Sequence, residues 1–209
     1  MTPGFIVTAT DTDVGKTVFA AALAQALHGY YWKPIQAGFS DGTDSETVAR
    51  LSGLPPERIL PEAYRLRLPA SPHLAAAAED IKIDPDALQP PGCDAPLIIE
   101  GAGGVLVPLS KDLLFTDVFA RWGIPVILCA RTRIGTINHC LLSIEALRAR
   151  RIPVHGIAFI GNADEAVEAT ITTLSGAKRL GRLPHLAPLD SQTLALAFRD
   201  HFRLEDFAA

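Results

Sequence analysis

Phe5-Ile6-Val7-Thr8-Ala9, followed by Thr10-Asp11-Thr12-Asp13-Val14-Gly15-Lys16-Thr17-Val18, decides how this chain is read. The first five residues are a short run rich in β-branched side chains, the mark of a buried strand. From Lys16 to Leu27, Val18, Ala21, Ala22 and Ala26 recur at helical spacing and are small enough for close packing on a sheet. The turn between strand and helix ends in Gly-Lys-Thr, the phosphate-loop signature. Each residue has a physical task there. Gly15 lets the backbone approach phosphate oxygens, and successive N–H groups at the helix N-terminus make an anion cradle. Lys16 adds a point charge at the β and γ phosphates, and the Thr17 hydroxyl is a magnesium ligand. The first glycine usual in this pattern is replaced by Ala9, so φ at that position is expected to be negative.

Working outward, further apolar runs are separated by helical stretches. Tyr30–Lys33 reads as a second strand stopped by Pro34, Ala95–Glu100 as a third, Pro125–Ala130 as a fourth and Val154–Ile160 as a fifth. Between the last two, residues 138–151 show helical periodicity, with Arg148, Arg150 and Arg151 at the end where cations suit the helix dipole. Continuous apolar strands joined by helical crossovers predict an α/β fold of P-loop NTPase type: an open, mostly parallel sheet with helices on both faces. Ligands of such a sheet bind beyond the carboxyl ends of its strands. The Pro-rich stretches 54–72 and 84–96 read as surface excursions.

Length and composition bound the function. The 209 residues fit one domain spanning 1–209. A net charge of −4 offers no basic surplus for a nucleic-acid backbone. No apolar run approaches the ~20 residues of a membrane span, and Met1-Thr2-Pro3-Gly4-Phe5 lacks the charged and apolar regions of a signal peptide. Three cysteines, Cys93, Cys129 and Cys140, are not in metal-ligand spacing. Together these features point to a reducing cytoplasm, with no disulfide framework and no zinc.

Two carboxylates lie where a magnesium nucleotide would need them, and a lysine is the other unusual residue. Glu100 ends a strand and leads into Gly101-Ala102-Gly103-Gly104, whose glycines let backbone N–H groups approach a ligand. Asp44 sits in Ser40-Asp41-Gly42-Thr43-Asp44-Ser45-Glu46, where helix capping and metal binding are both open readings. Lys33 ends the second strand on the edge that carries the phosphate loop. It is either a solvated strand-end lysine or a charge for an anionic substrate or a transferring phosphoryl group.

Taken in order, Thr10–Thr17, Lys33-Pro34-Ile35-Gln36-Ala37-Gly38, Ser71-Pro72-His73-Leu74-Ala75, Glu100–Gly104, Gly135-Thr136-Ile137-Asn138-His139 and Leu180-Gly181-Arg182-Leu183-Pro184 resemble the dethiobiotin synthetase family of biotin biosynthesis across nearly the whole chain. The resemblance implies a ligase that converts 7,8-diaminononanoate, carbon dioxide (drawn from bicarbonate) and ATP into dethiobiotin, ADP and phosphate. The route implied runs through a carbamate and a carbamic–phosphoric anhydride. It implies magnesium at Thr17, Asp44 and Glu100. It also implies ATP phosphates held by Asp13, Val14, Gly15, Lys16, Thr17 and Val18 with Gly101, Ala102 and Gly103, and Lys33, Lys16 and Thr12 at the reacting centre. The diamine would meet Thr12, Lys33, Ala37 and Gly101, with Ala37 lacking a hydroxyl frequent in the family. Its distal carboxylate would meet Gly135, Thr136, Ile137 and Asn138 of a partner subunit, in a homodimer. Leu183, Pro184 and His185 match a base-contacting loop. The family's adenine-reading asparagine aligns with Ile160, while Asn162 stands two residues later.

Other residues have blander readings. His139 fits a structural contact. Thr116-Asp117 reads as a helix cap or a brace for the phosphate loop. Cys129 reads as a small buried hydrophobe, and Cys140, just inside a helix, is placed for a lowered pKa without a catalytic partner. Two alternatives share the motif. An amidating ligase of the cobyrinic acid kind needs a glutaminase domain that this length cannot hold. A partitioning or septum-site switch ATPase usually carries an extra lysine early in the loop, where this chain has Ala9-Thr10-Asp11-Thr12.

Overall fold

A computed structural model describes residues 4–40 and 42–208. Residues 1–3, part of the stretch read as free of a signal peptide, lie outside the described residues, as do Asp41 and Ala209. In chain order the elements are β1 (Gly4–Ala9), α1 (Lys16–Ala26), β2 (Tyr30–Trp32), β3 (Ile35–Ala37), α2 (Asp44–Ser52), β4 (Ile59–Leu60), β5 (Tyr64–Leu66), α3 (Pro72–Ala78) and β6 (Leu97–Glu100). They continue with α4 (Phe115–Trp122), β7 (Val126–Arg131), α5 (Thr136–Ala149), β8 (Val154–Ile160), α6 (Glu165–Ser175), β9 (Arg179–Leu183) and α7 (Ser191–His201). Among the described residues no helix is long and apolar enough to cross a membrane.

Seven strands form one sheet in the order β4-β2-β6-β1-β7-β8-β9, and every pairing in it is parallel. The sheet is covered on both sides, and the side chains show why its strands are apolar throughout. Phe5 and Val7 of β1 enter one core with Phe19, Val48 and Leu194 of α1, α2 and α7. Ile6, between them, enters the other with Phe119, Ile144 and Ile171 of α4, α5 and α6. Alternation thus persists along the strand, but both faces are dry. Helix α1 is sandwiched closely, and Ala20, Ala21, Ala22 and Ala24 are all essentially inaccessible.

Two sequence expectations need correction. The stretch 54–72 is not merely a surface excursion. Its β4 forms the sheet edge beside β2, and its β5 pairs with β3 in a separate two-stranded parallel sheet. These strands are only two and three residues long, too short to show a period. The second strand also ends at Trp32. Pro34 cannot donate to a ladder, and its carbonyl instead accepts from the N–H groups of Ala63 and Tyr64.

Helix α2 begins with a reciprocal cap. The Thr43 hydroxyl accepts from the Glu46 N–H at 3.0 Å, and the Glu46 carboxylate accepts from the Thr43 N–H at 2.8 Å. Thr43 is therefore the cap, and Asp44 is left free to point elsewhere. Replacing Thr43 by Ala is expected to lower stability by about 1 kcal/mol. A urea titration checks this: the midpoint should fall with an unchanged slope.

Candidate active site

The register of the sheet creates the site. Trp32 of β2 lies opposite Ile99 of β6, so the next residues along, Lys33 and Glu100, emerge side by side. Val7 of β1 lies opposite Glu100, and the phosphate loop leaves the same edge two residues later. All three segments therefore converge at the carboxyl ends of parallel strands, where the chain leaves β1 with neighbours on both sides.

The phosphate loop is shaped by two left-handed residues, Asp13 at φ 53° and Gly15 at φ 105°. Asp tolerates this region better than most residues. At Gly15 a side chain is excluded twice, since a Cβ would also lie 2.9 Å from Cγ2 of Ile160. Ala9, the departure from the usual pattern, ends β1 fully buried and is not among the positive-φ residues. The Lys16 ammonium donates to the Asp11 carbonyl at 3.2 Å. Burial and the nearby Lys33 charge lower its pKa from the ordinary lysine value.

Lys33 is only 4% exposed, which rules out the solvated reading. Its ammonium lies 2.8 Å from Asp44 Oδ2 and 3.1 Å from Glu100 Oε1, and it also donates to the Gly101 carbonyl at 3.0 Å. Burial works against its charge, but Glu100 and Asp44 outweigh burial and hold its pKa above the ordinary value. Asp44 responds in the opposite sense. Burial would raise its pKa, and the Lys33 charge with hydrogen bonds from Lys33 and Thr17 brings it below the usual carboxylate value. Thr17 Oγ1 lies 2.9 Å from both Asp44 Oδ1 and Glu100 Oε1. One hydroxyl proton cannot serve two carboxylates at once, so these oxygens form a site that favours positive charge.

A cavity of about 810 Å³ opens over this cluster. Thr12, Asp13, Gly15, Lys16, Thr17, Val18, Lys33, Ala37, Asp44, Glu100, Ala102 and Gly103 line it together. Val14 is buried beneath the loop. Gly101 contributes to the cluster through its carbonyl, because its N–H is engaged by the Val7 carbonyl at 2.9 Å. Pro69, Ala70, Ser71 and Pro72 also line the cavity.

The remaining candidates lie apart. Gly135, at φ 91°, starts α5. Thr136 lines a second cavity of about 450 Å³ with Thr10, Asp11, Arg131, Arg133 and His139. Asn138 is exposed and Ile137 half-buried. Asn162, exposed beyond β8, accepts a hydrogen bond from Thr132 through its backbone carbonyl. His185 stands next to it, its Nε2 3.2 Å from where a Cβ on Gly161 would be. Leu183 is buried and Pro184 half-buried. Ile160, at the end of β8, packs against Gly15 of the phosphate loop.

Sequence reading missed two side chains. Gln36 accepts from the Asp44 N–H at 3.1 Å and donates to the Gly38 carbonyl at 2.9 Å, which fixes the start of α2. Tyr31 is fully buried, and its hydroxyl donates to Glu100 Oε2 at 2.8 Å. Burial and the Glu100 charge push its pKa well above the ordinary tyrosine value. Nothing in the run Tyr30-Tyr31-Trp32 distinguishes it from core filling. The expectation of a lowered pKa at Cys140 is overturned: burial pushes this thiol up to about 11. Asp117 closes on the Leu114 N–H at 2.8 Å, the capping reading.

Comparison with known proteins agrees with this geometry. Residues 3–193 match a family described as an AAA domain. Over the full length of both chains, the sequence is 64% identical to the ATP-dependent dethiobiotin synthetase BioD of Rhizorhabdus wittichii. It is 59% identical to that of Rhodopseudomonas palustris, again over the whole of both chains. Among solved structures, a MinC:MinD cell division protein complex of Aquifex aeolicus is similar at TM-score 0.53 and 14% identity, over 95% of this chain and 94% of that one. A ParA family ATPase of Chlorobium tepidum is similar at TM-score 0.52 and 13% identity, over 95% of this chain and 99% of that one. These two show the shared fold alone. The phosphate loop, the Lys33 cluster and full-length identity of this order agree with one another: the chain belongs to the family of ATP-dependent dethiobiotin synthetases, ligases of biotin biosynthesis.

Proposed function

We propose that this chain carboxylates and cyclises 7,8-diaminononanoate in the cavity above Lys33, using carbon dioxide and ATP. The observation that supports this best is the meeting of Lys33 with Asp44 and Glu100 beside the Thr17 hydroxyl. One amine adds to carbon dioxide and loses a proton, giving a carbamate. The carbamate oxygen attacks the γ phosphorus of ATP, releasing ADP and forming a carbamic–phosphoric anhydride. The second amine then attacks the anhydride carbonyl, a proton is lost, phosphate departs and the cyclic urea closes. Ring closure is intramolecular and gains effective molarity accordingly.

The residues divide this work by charge. Lys16 and the N–H groups of the loop hold the β and γ phosphates. Thr17, Asp44 and Glu100 offer three hard oxygens that suit magnesium, an ion that keeps several waters and shares phosphate ligands. Bound there, it would stabilise charge on the phosphate oxygens. Lys33 holds the two carboxylates together, and its ammonium would also stabilise the carbamate and the transferring phosphoryl group. Thr12 and Ala37, which both line the cavity, would contact the diamine. Asn162, Pro184 and His185 form a rim for the base.

The same reading makes the protein a cytoplasmic homodimer. Ile134 is fully exposed at the loop before α5, and Leu106 and Leu142 are more than half exposed nearby. Such an apolar patch fits a subunit contact. The α5 N-terminus would then bind the substrate carboxylate in the partner's site.

Four measurements test this. ADP release should require both the diamine and bicarbonate; turnover indifferent to the diamine would favour a nucleotide switch instead. Lys33→Ala should lower kcat by about 10²-fold or more, the scale of losing one transition-state donor. Its circular dichroism should be retained, and near-normal kcat would remove Lys33 from the chemistry. Asn138→Ala should raise KM for the diamine and leave KM for ATP unchanged, while Ile134→Glu should yield monomers by light scattering. A selective loss of ATP affinity in the first variant would contradict the placement of α5.

A further inference from the structure

We propose that Tyr31 is a positioning residue for Glu100, holding one carboxylate oxygen in the core so that the other faces the metal position. This rests on the magnesium reading above. The two oxygens of Glu100 have different surroundings. Oε2 accepts from the Tyr31 hydroxyl at 2.8 Å, and Oε1 meets Thr17 at 2.9 Å and Lys33 at 3.1 Å. Tyr31 is fully buried among the residues under α1 and α2, and it does not line the cavity. Its hydroxyl reaches the site through Glu100.

Packing does not explain the hydroxyl. A phenylalanine would fill the same ring volume, whereas a buried hydroxyl needs a partner or costs about 1–3 kcal/mol. Its partner here is an ionised carboxylate, the stronger class of hydrogen bond. The geometry is set by register. Tyr31 lies opposite Ile98, so Glu100 is its diagonal neighbour on the same face of the sheet, within reach of a long aromatic side chain. The terminal torsion of a glutamate is broad and roughly two-fold. A donor on Oε2 selects one orientation, and Oε1 then stays beside Thr17. Groups that orient a metal-binding carboxylate typically contribute about 10–100-fold in metal affinity.

The test is Mn²⁺ binding to the full chain in the presence of ADP, read by electron paramagnetic resonance of the free ion. Tyr31→Phe should weaken Mn²⁺ binding about tenfold. KM for Mg²⁺ should rise in parallel, with kcat at saturating Mg²⁺ within about twofold of the parent and ADP affinity without metal unchanged. Glu100→Gln is the companion variant. Unchanged Mn²⁺ affinity in Tyr31→Phe together with a large loss in Glu100→Gln overturns the positioning role and leaves the metal reading standing. Unchanged affinity in both removes the metal from Glu100, and this inference with it.

A second measurement uses the parent protein and does not depend on the variant folding. Labelling tyrosine at Cζ places a carbon NMR probe at Tyr30, Tyr31 and Tyr64, assigned from the Tyr30→Phe and Tyr64→Phe variants, which leave the third signal to Tyr31. Mg²⁺ with ADP should shift the Tyr31 signal and leave the other two in place. A Tyr31 signal that ignores the metal overturns the proposal.

Discussion

A buried ammonium held between a buried glutamate and a half-buried aspartate sets the terms for everything around it. Glu100 is 1% exposed and Lys33 4%, so neither charge has water to fall back on. Such charges persist only when paired and hydrogen-bonded. The fold meets that demand from four directions. β2 brings the lysine, β6 the glutamate, the start of α1 a hydroxyl, and the start of α2 an aspartate. Removing any one leaves a buried charge short of a partner, which ties the integrity of the site to that of the sheet edge.

That arrangement also separates architecture from chemistry. The MinD- and ParA-related structures share the fold at low identity, and a parallel sheet with a phosphate loop serves a switch as well as a ligase. What belongs to the site is the lysine that follows β2 and the side chains that hold its partners. Gln36 secures the start of α2, and the Thr43–Glu46 cap leaves Asp44 at the first helical position without requiring its side chain. The carboxylate is thereby free for Lys33 and Thr17.

Much of this was legible in the residues. Strands β1, β6, β7 and β8 are continuous apolar runs bounded by Pro, Gly or polar turns, and the phosphate loop lies at the junction that its motif requires. The short strands β3, β4 and β5 carry too few residues to show a period, and β9 is interrupted by Gly181 and Arg182. Residue type and position alone leave the chemistry of Lys33 open, and only the family resemblance points to the reacting centre, because sequence does not give strand order. Only the placement of β6 between β2 and β1 turns a strand-end lysine and a strand-end glutamate into neighbours. Tyr31 and Gln36 escaped notice for the same reason: each acts through a partner distant in sequence or around a turn, and neither residue type announces such a role.

The contact between Ile160 and Gly15 has a consequence for how the loop meets its ligand. The isoleucine methyl occupies the space beneath the glycine, and the loop is pinned from the far side by the Lys16 hold on the Asp11 carbonyl. A wedge on one flank and a tether on the other leave little room to sag. A triphosphate held there as proposed would meet a cradle already near its bound shape, and its association would forfeit little conformational freedom.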